Sequence, residues 1–292
     1  MHFWLLSLGW FHEIKVVMGD IENFTKNGFL SPAGKVDVDR ALNLYMSKIV
    51  SDKKIDTHSK TSFSRFSFFN KEMNPHLLYS EINELVNNDQ ILRMVRHLLG
   101  MEIVCINTIF IAKPPHSNDH LTLHQDSVYW GLKNNQALSI WIALTDSNLS
   151  NGCMQVIPGS HCHELRHKSS PAKDNILQMK ETCEECIGEP HLVPLVLSKG
   201  QFSVHHCQIV HMSRNNPSDK WRIGLVLRYA NVDTLDEDYL SKKIYSPLGN
   251  QENMLITGDT SCSITPEKRW LHFNRQYFRK LNNSALTSNS NS

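Results

Sequence analysis

Two residues able to bind a metal ion stand two positions apart in a stretch that has the character of a β-strand. His124 and Asp126 are separated only by Gln125, and because strand side chains alternate, both would point to the same face. An imidazole and a carboxylate on one face can hold one ion from one side. A second imidazole from a distant strand would complete the two-histidine, one-carboxylate set of mononuclear non-haem Fe(II) oxygenases, which leaves positions on the ion open.

Three histidines in a later segment could supply the second imidazole: His205, His206 and His211. We favour His211, because Ser213 would share its strand face and Arg222 opens the next apolar strand. An arginine forms planar two-point contacts with carboxylates, and a buried arginine needs an anionic partner. The set suits 2-oxoglutarate as a co-substrate, with its keto acid end on the iron and its other carboxylate against Arg222 and the Ser213 hydroxyl.

These residues also have plainer interpretations. Roughly one His-x-Asp pair is expected by chance in a chain of this composition, and Arg222 could form a weak surface ion pair. His161 and His163 are a further histidine pair, which we interpret as one structural and one exposed side chain rather than as metal ligands. Cys183 and Cys186 form a single CxxC motif, which we interpret as two thiols in a loop instead of a zinc or redox pair.

Composition is that of a soluble globular protein. The chain has 292 residues, of which 40% are hydrophobic and 20% are charged. The net charge of +1 and the lack of a basic stripe argue against a nucleic-acid partner, and no apolar run is long enough to span a bilayer. Seven cysteines without framework spacing fit a reducing compartment. With no convincing signal peptide or peroxisomal signal, we expect a cytoplasmic protein of undetermined oligomeric state.

The chain divides into one domain with a segment at each end. Residues 1–17 are apolar but lack a basic start and a small-residue cleavage site, and Met18 offers an alternative start. We therefore expect 1–17 to be an extension outside the native domain. Residues 18–281 are expected to form a single domain, and the Asn/Ser-rich residues 282–292 a disordered tail.

Helices are predicted in the first third of the chain and strands in most of the rest. Apolar positions recur every three to four residues over 36–51 and 77–99, which is typical of amphipathic helices. Short apolar strands separated by turn residues then predict an antiparallel sandwich or barrel. The strands are predicted at 103–112, 121–129, 137–144, 154–157, 192–197, 201–205, 209–212 and 223–229.

A closed pair of sheets is the jelly-roll or cupin arrangement. We therefore predict a mainly β protein with flanking helices, in which two helices cover one sheet face. The polar stretch 162–190 is too long for a simple connector and is expected to act as a lid. Residues 265–281, basic and aromatic, are expected to form a helix that packs back on the domain.

Five sequence blocks, in this order, closely resemble the phytanoyl-CoA dioxygenase family. The blocks are His124–Trp130, Ser139–Asp146, Asn151–Met154, Pro158–His161 and His211–Asn216, the last followed by Arg222. The similarity covers approximately residues 22–230. Because the blocks occur with family-like spacing, the resemblance is specific.

The resemblance implies a double-stranded β-helix that holds Fe(II) and uses 2-oxoglutarate and O2. The residues that it implies are His124, Asp126 and His211 as metal ligands; Trp141, Ser213 and Arg222 around the co-substrate; and Asn107 and Lys113 near the pocket. Family halogenases replace the metal carboxylate with a small residue. This chain retains Asp126, so the resemblance favours hydroxylation. The sequence shows no CoA-specific motif, so the family's acyl-CoA specificity is not extended to this chain.

The sequence thus predicts an Fe(II)- and 2-oxoglutarate-dependent dioxygenase that hydroxylates a C–H bond of a small-molecule or lipid-like substrate and releases succinate and CO2. Tyr129 and Trp130 are expected to line the substrate's route beneath the 162–190 loop, although each could be plain core. Two alternatives stay open: a non-catalytic jelly-roll module that binds a ligand, and a cupin-type metal enzyme that does not use 2-oxoglutarate.

Overall fold

The computed structural model describes residues 19–50, 74–169, 174–177, 181–185, 191–235 and 255–257. The expected extension at 1–17, the expected helix at 265–281 and the expected tail at 282–292 lie outside these ranges. The assignment of 18–281 to a single domain therefore stays a prediction. In the described part of the chain, no helix combines the length and the hydropathy needed to cross a membrane.

The helices precede most of the sheet, as predicted, but their boundaries differ. They are α1 (residues 19–27), α2 (Asp39–Leu44, continued by a π-helical turn, Tyr45–Val50), α3 (Ser80–Val86) and α4 (Asp89–Leu99). The single helix predicted over 77–99 is two helices. The Asn88 side chain accepts hydrogen bonds from the backbone N–H groups of Gln90 (3.0 Å) and Ile91 (3.3 Å). Such a cap starts a new helix, because the asparagine side chain replaces a backbone partner.

Two antiparallel sheets follow the predicted jelly-roll pattern. The major sheet has the strand order β1-β9-β4-β11-β2-β12, with β1 Phe29–Lys35, β2 Ile103–Lys113, β4 Ala137–Ala143, β9 Gln201–His206, β11 Arg222–Asn231 and β12 Leu255–Thr257. The minor sheet has the order β3-β10-β5-β8, with β3 Leu121–His124, β5 Met154–Val156, β8 Val193–Pro194 and β10 His211–Ser213. A separate hairpin joins β6 (His167–Ser169) to β7 (Glu181–Cys183). The start of the fold, α1 with β1, was not predicted.

Strand β4 shows how the major sheet divides the interior into two cores. Leu138, Ile140 and Ile142 belong to the core shared with the helices, whereas Trp141 and Ala143 belong to the core shared with the minor sheet. Both faces are buried, so the strand reads as an almost continuous apolar run instead of alternating. The space between the two sheets is therefore where an internal site can form.

The polar stretch 162–190 packs against the edge of the minor sheet in its described parts. The Asn175 side chain donates to the Thr122 hydroxyl (3.0 Å), and Leu177 packs with Leu121. Cys183 is buried in β7, whereas Cys186 lies outside the described residues. The stretch thus covers strand β3, which carries the first predicted metal ligand.

Candidate metal centre and co-substrate pocket

Strand pairing brings the three predicted metal ligands together. His211 opens β10 directly opposite His124 at the end of β3, and their ring centroids lie 4.1 Å apart. The carboxylate oxygen Oδ1 of Asp126 lies 3.7 Å from Nε2 of His124. One ligand atom from each of the three residues lies within 4.8 Å of the others, and all three residues are buried. Metal–ligand bonds of about 2 Å can close on an ion from such a spacing.

Asp126 does not lie on a strand, contrary to the prediction. Strand β3 ends at His124, and Asp126 begins a 3-10 turn that runs to Tyr129. Gln125 between them remains extended (φ −109°, ψ 132°). Because the backbone stays extended through that residue, the side chains on either side still share a face.

Hydrogen bonds fix both histidine rings in the form that binds metals. Nδ1 of His124 lies 2.7 Å from the Thr122 carbonyl, and Nδ1 of His211 lies 3.0 Å from the Ile209 carbonyl. A carbonyl can only accept, so each Nδ1 carries a proton, and in the neutral ring the lone pair is then on Nε2, where it can bind a metal. Burial lowers the pKa of His124 to about 3, so its ring is neutral at physiological pH.

Arg228, which was not predicted as a site residue, supports the carboxylate. Its Nη2 lies 3.5 Å from Oδ1 of Asp126, its Nη1 donates to the Asn107 side chain (3.1 Å), and its guanidinium lies 5.2 Å from the Trp130 ring. Burial alone would raise the pKa of Asp126. The pKa nevertheless lies below its usual value, because burial is outweighed by the charge of Arg228 together with smaller contributions from His211, His124 and His205. The carboxylate is therefore ionised and able to bind a cation.

Gln125, between two of the ligands, ties three segments together. Its Nε2 donates to the carbonyls of His163 (2.7 Å) and Gln208 (2.5 Å), and its Oε1 accepts from the Leu165 amide (2.8 Å). The side chain is completely buried. It therefore joins the metal-binding segment to the polar stretch after residue 162 and to the turn before His211.

A cavity of about 160 Å³ opens between the two sheets at this centre. The predicted residues that line it are His124, Asp126, His211, Trp141, Ser213, Arg222, Asn107, Tyr129 and Trp130. Arg228 and His205 also line it. Apolar side chains complete the wall: Ile106, Ile109, Ile111, Leu121, Met154, Leu177 and Val226.

Arg222 presents an unpaired guanidinium to this cavity. The residue is 1% exposed, and among the described residues its Nε and Nη2 have no hydrogen-bond partner. Burial lowers its pKa to about 10, so it stays charged at neutral pH. Its guanidinium lies 5.5 Å from the Trp141 ring. A buried cation without a partner is suited to receive a carboxylate, as 2-oxoglutarate would supply.

Comparison with known proteins places the chain in a family. The sequence profile of the family described as "Phytanoyl-CoA dioxygenase (PhyH)" matches residues 24–224. The chain belongs to the phytanoyl-CoA dioxygenase family. It is 26% identical over 187 residues to the "Probable alpha-ketoglutarate-dependent hypophosphite dioxygenase" of Stutzerimonas stutzeri, over 63% of this chain and 65% of that protein. It is 26% identical over 263 residues to the "Phytanoyl-CoA dioxygenase domain-containing protein 1" of Bos taurus, over 69% of this chain and 86% of that protein.

Solved structures share the fold. The non-heme monooxygenase ThoJ in its apo form is 26% identical, with a TM-score of 0.60 over 83% of this chain and 84% of that chain. EctD from S. alaskensis, solved with 2-oxoglutarate and 5-hydroxyectoine, is 18% identical, with a TM-score of 0.56 over 74% of this chain and 76% of that chain. The predicted jelly-roll fold is therefore confirmed. Family membership confirms the predicted class, an Fe(II)- and 2-oxoglutarate-dependent dioxygenase.

Lys113 lies beside Ser213 rather than among the residues that line the cavity. Its Nζ donates to the Ser213 hydroxyl (2.7 Å) and to the Ser213 carbonyl (3.2 Å), with a further contact to the Arg214 carbonyl. Burial, and then the charge of Arg222, lowers the pKa of Lys113 well below its usual value. Because the Ser213 oxygen accepts from Lys113, its own proton is free to point at a carboxylate in the cavity.

The three candidate histidines of the later segment have separate surroundings. His205 lines the cavity, and its ring centroid lies 5.1 Å from that of His211. His206 points away and packs near Phe24 and His161, at centroid distances of 6.1 and 5.2 Å. His161 is also structural, because its Nε2 lies 3.1 Å from the Thr25 carbonyl. Among the described residues, only His211 of the three joins the metal-ligand group.

Proposed function

We propose that the protein hydroxylates a C–H bond of a small-molecule substrate while it converts 2-oxoglutarate and O2 into succinate and CO2. The observation that carries this proposal is the guanidinium of Arg222, which lies in the same cavity as the His124, Asp126 and His211 ligand set and whose Nε and Nη2 have no partner among the described residues. A binding module has no evident use for this combination. A cupin-type metal enzyme would need the ligand set but not the receptor for a second carboxylate.

The metal ligands have a donor set that suits Fe(II). Two neutral imidazoles and one carboxylate, with open positions opposite, are the usual ligands of this metal in oxygenases. When bound, the ion supplies the redox chemistry with O2. His124, Asp126 and His211 would hold it, and Arg228 and Gln125 keep two of these residues in place through the contacts described above.

Arg222 and Ser213 would hold the far carboxylate of 2-oxoglutarate. Both line the cavity, and the guanidinium can donate two parallel hydrogen bonds to a planar carboxylate. Trp141 lies against the same guanidinium and restricts its movement. The protein thereby orients the co-substrate before the organic substrate arrives, which reduces the entropic cost of reaction.

Apolar side chains keep water from the reacting centre. Ile109, Val226 and Met154 are buried and line the cavity between the two sheets. A site from which water is excluded strengthens the electrostatic contacts inside it and protects reactive species from side reactions. Its volume of about 160 Å³ favours a small substrate over a long lipid chain.

We also propose a cytoplasmic location on the basis of the thiols. Cys105, Cys153 and Cys207 are buried and form no disulfide with any described cysteine. Unpaired cysteines of this number are typical of a reducing compartment.

Replacement of Arg222 tests the co-substrate assignment. Nickel-loaded protein should bind 2-oxoglutarate in a calorimetric titration, and Arg222→Ala should weaken that binding about 100-fold, because two charge-assisted hydrogen bonds are lost. Arg214→Ala is the matched control, since Arg214 is exposed in the preceding turn. Equal affinity in the Arg222 variant would remove the proposal. Succinate formation by the iron-loaded protein, assayed with a panel of small substrates, separates it from a cupin-type enzyme that does not use 2-oxoglutarate.

A further inference from the structure

A row of polar side chains crosses the major sheet on the face that bounds the cavity. The register pairs Asn107 on β2 with Arg228 on β11, Arg228 with Ser139 on β4, and Ser139 with His205 on β9. We call these four residues the polar row. In the neighbouring row, Ile109, Val226 and Trp141 are apolar, and Ser203 on β9 is the polar end of that row. Four polar side chains thus stand side by side at one level of the wall, separated from Arg222 by apolar side chains.

Several atoms of the polar row lack partners. His205 is 2% exposed and Ser139 is fully buried. Nδ1 of His205, Oγ of Ser139 and Nε of Arg228 have no hydrogen-bond partner within the described part of the chain. Buried polar groups are normally paired, so three unpaired atoms in neighbouring side chains indicate a place prepared for a polar ligand.

The row lies beside the metal ligands, not in a separate part of the molecule. Arg228 contacts Asp126, and the His205 ring lies next to His211. Arg228 and His205 both line the cavity. A group bound by the row would therefore lie near the metal, where a reacting C–H bond has to be held.

Charge indicates the type of ligand. The expected charge of the ligand rests on the proposed function. With Fe(II), Asp126, doubly charged 2-oxoglutarate and Arg222 in place, the charges of these groups cancel. The positive charge of Arg228 remains, whereas any charge on Lys113, which is not a lining residue, interacts with the buried carboxylate of Asp119. Uncompensated buried charge is costly, so an anionic group is the favoured neighbour. Arginine can only donate hydrogen bonds, and a neutral histidine and a serine can each donate one.

We propose that the polar row binds an oxyanion of the organic substrate, such as a carboxylate, and that His205 donates a hydrogen bond to it. The substrate class is accordingly a small organic or phosphorus-containing acid. Arg228 supplies the charge and His205 supplies a hydrogen bond from β9, whereas Ser139 lies between them on β4 and is not one of the lining residues.

His205 and His206 form a matched pair for testing. They are consecutive on β9, but only His205 lines the cavity, whereas His206 packs near Phe24 and His161. Phenylalanine keeps an aromatic ring and removes the hydrogen-bonding atoms. Arg228 is left unchanged because it also contacts Asp126.

The test is a titration of nickel-loaded protein at saturating 2-oxoglutarate with acetate, benzoate and phosphite, and with acetamide and benzamide as neutral counterparts. At least one acid should bind about tenfold more tightly than its amide. His205→Phe should weaken acid binding about tenfold without a comparable loss of 2-oxoglutarate affinity, whereas His206→Phe should retain both. Ser139→Ala, a smaller change, should weaken acid binding about threefold and provides a second variant if His205→Phe does not fold.

Each outcome decides the inference. Three results would overturn it. The first is that amides bind as well as acids, and the second is that no saturable acid binding occurs at millimolar concentration. The third is unchanged acid binding in both Ser139→Ala and His205→Phe. In those cases 2-oxoglutarate binding and succinate formation would still support the proposed function. If 2-oxoglutarate itself does not bind, both proposals fail.

Discussion

At the scale of single residues, two arginines on one strand have opposite surroundings. Arg222 and Arg228 both lie on β11 and line the same cavity. Arg228 contacts a carboxylate, an amide and an indole, whereas Arg222 has unpaired Nε and Nη2 atoms among the described residues. The first arginine therefore supports a metal ligand, and the second is available to a diffusible carboxylate.

Replacement of Arg228 should weaken metal binding. Arg228→Met removes the charge that keeps Asp126 ionised and in position, so we expect Co(II) affinity to fall by about tenfold, a typical effect of losing a partner of a metal ligand. The measurement is a titration followed by the visible spectrum of the cobalt protein. Arg93→Met is the control, because Arg93 is exposed on α4. Equal cobalt affinity in the two variants would contradict the role given to Arg228.

At the scale of elements, strands β4 and β11 fit together only because residue 224 is glycine. A Cβ atom at Gly224 would lie 2.2 Å from the Trp141 ring. The indole needs this space, and the same indole lies against Arg222. The glycine thus allows the two strands to place an aromatic ring beside the co-substrate receptor.

A methyl group at residue 224 should lower both the stability of the protein and its affinity for 2-oxoglutarate. Gly224→Ala forces the indole to move, and we expect a loss of about 1–3 kcal/mol in the free energy of unfolding together with weaker 2-oxoglutarate binding. Urea unfolding and calorimetry measure the two effects. Gly19→Ala is the control, since an added Cβ there meets nothing within 4 Å. A variant as stable as the control would show that the indole adapts without cost.

Gln125 links elements that are distant in the sequence. Gln125→Leu leaves the Leu165 amide and the carbonyls of His163 and Gln208 without their buried partner. We expect a loss of roughly 2–4 kcal/mol and faster hydrogen exchange at the Leu165 amide, measured by mass spectrometry. Gln136→Leu, at an exposed position, should leave both unchanged. Unaltered exchange at Leu165 in Gln125→Leu would mean that other contacts hold this segment.

At the scale of the whole molecule, the site joins the two sheets. The minor sheet supplies His124 and His211, and the major sheet supplies Arg222 and Trp141. A metal and a dianion bound between them would contact both sheets. Ligands that bind only the folded protein stabilise it by mass action.

Nickel and 2-oxoglutarate should therefore raise the unfolding temperature in sequence. At about 100 times the dissociation constant, each ligand contributes roughly 2.7 kcal/mol, so two successive increases are expected in thermal unfolding. Chelation of the metal should reverse both. Arg222→Ala should retain the first increase and lose most of the second; an unreduced second increase would place the diacid elsewhere.

Local features of this protein could be predicted from its amino-acid sequence. The extended backbone from His124 to Asp126 places both ligands on one face whether or not a strand continues, and the apolar run after Arg222 predicts a buried arginine. The ladder of short apolar segments indicated two antiparallel sheets, because alternation and turn residues are local properties of the chain. The sequence blocks that resemble the phytanoyl-CoA dioxygenase family include the predicted metal ligands His124, Asp126 and His211.

The contacts between residues distant in the sequence became visible in the folded chain. The choice among His205, His206 and His211 depends on pairing with β3 and β4, and the contact between Arg228 and Asp126 depends on how the two sheets face each other. Gln125 and Gly224 acquire their roles from segments far along the chain. Strand register and sheet packing are set by hydrogen bonds and shape between non-local segments, and the pattern within one segment does not specify them.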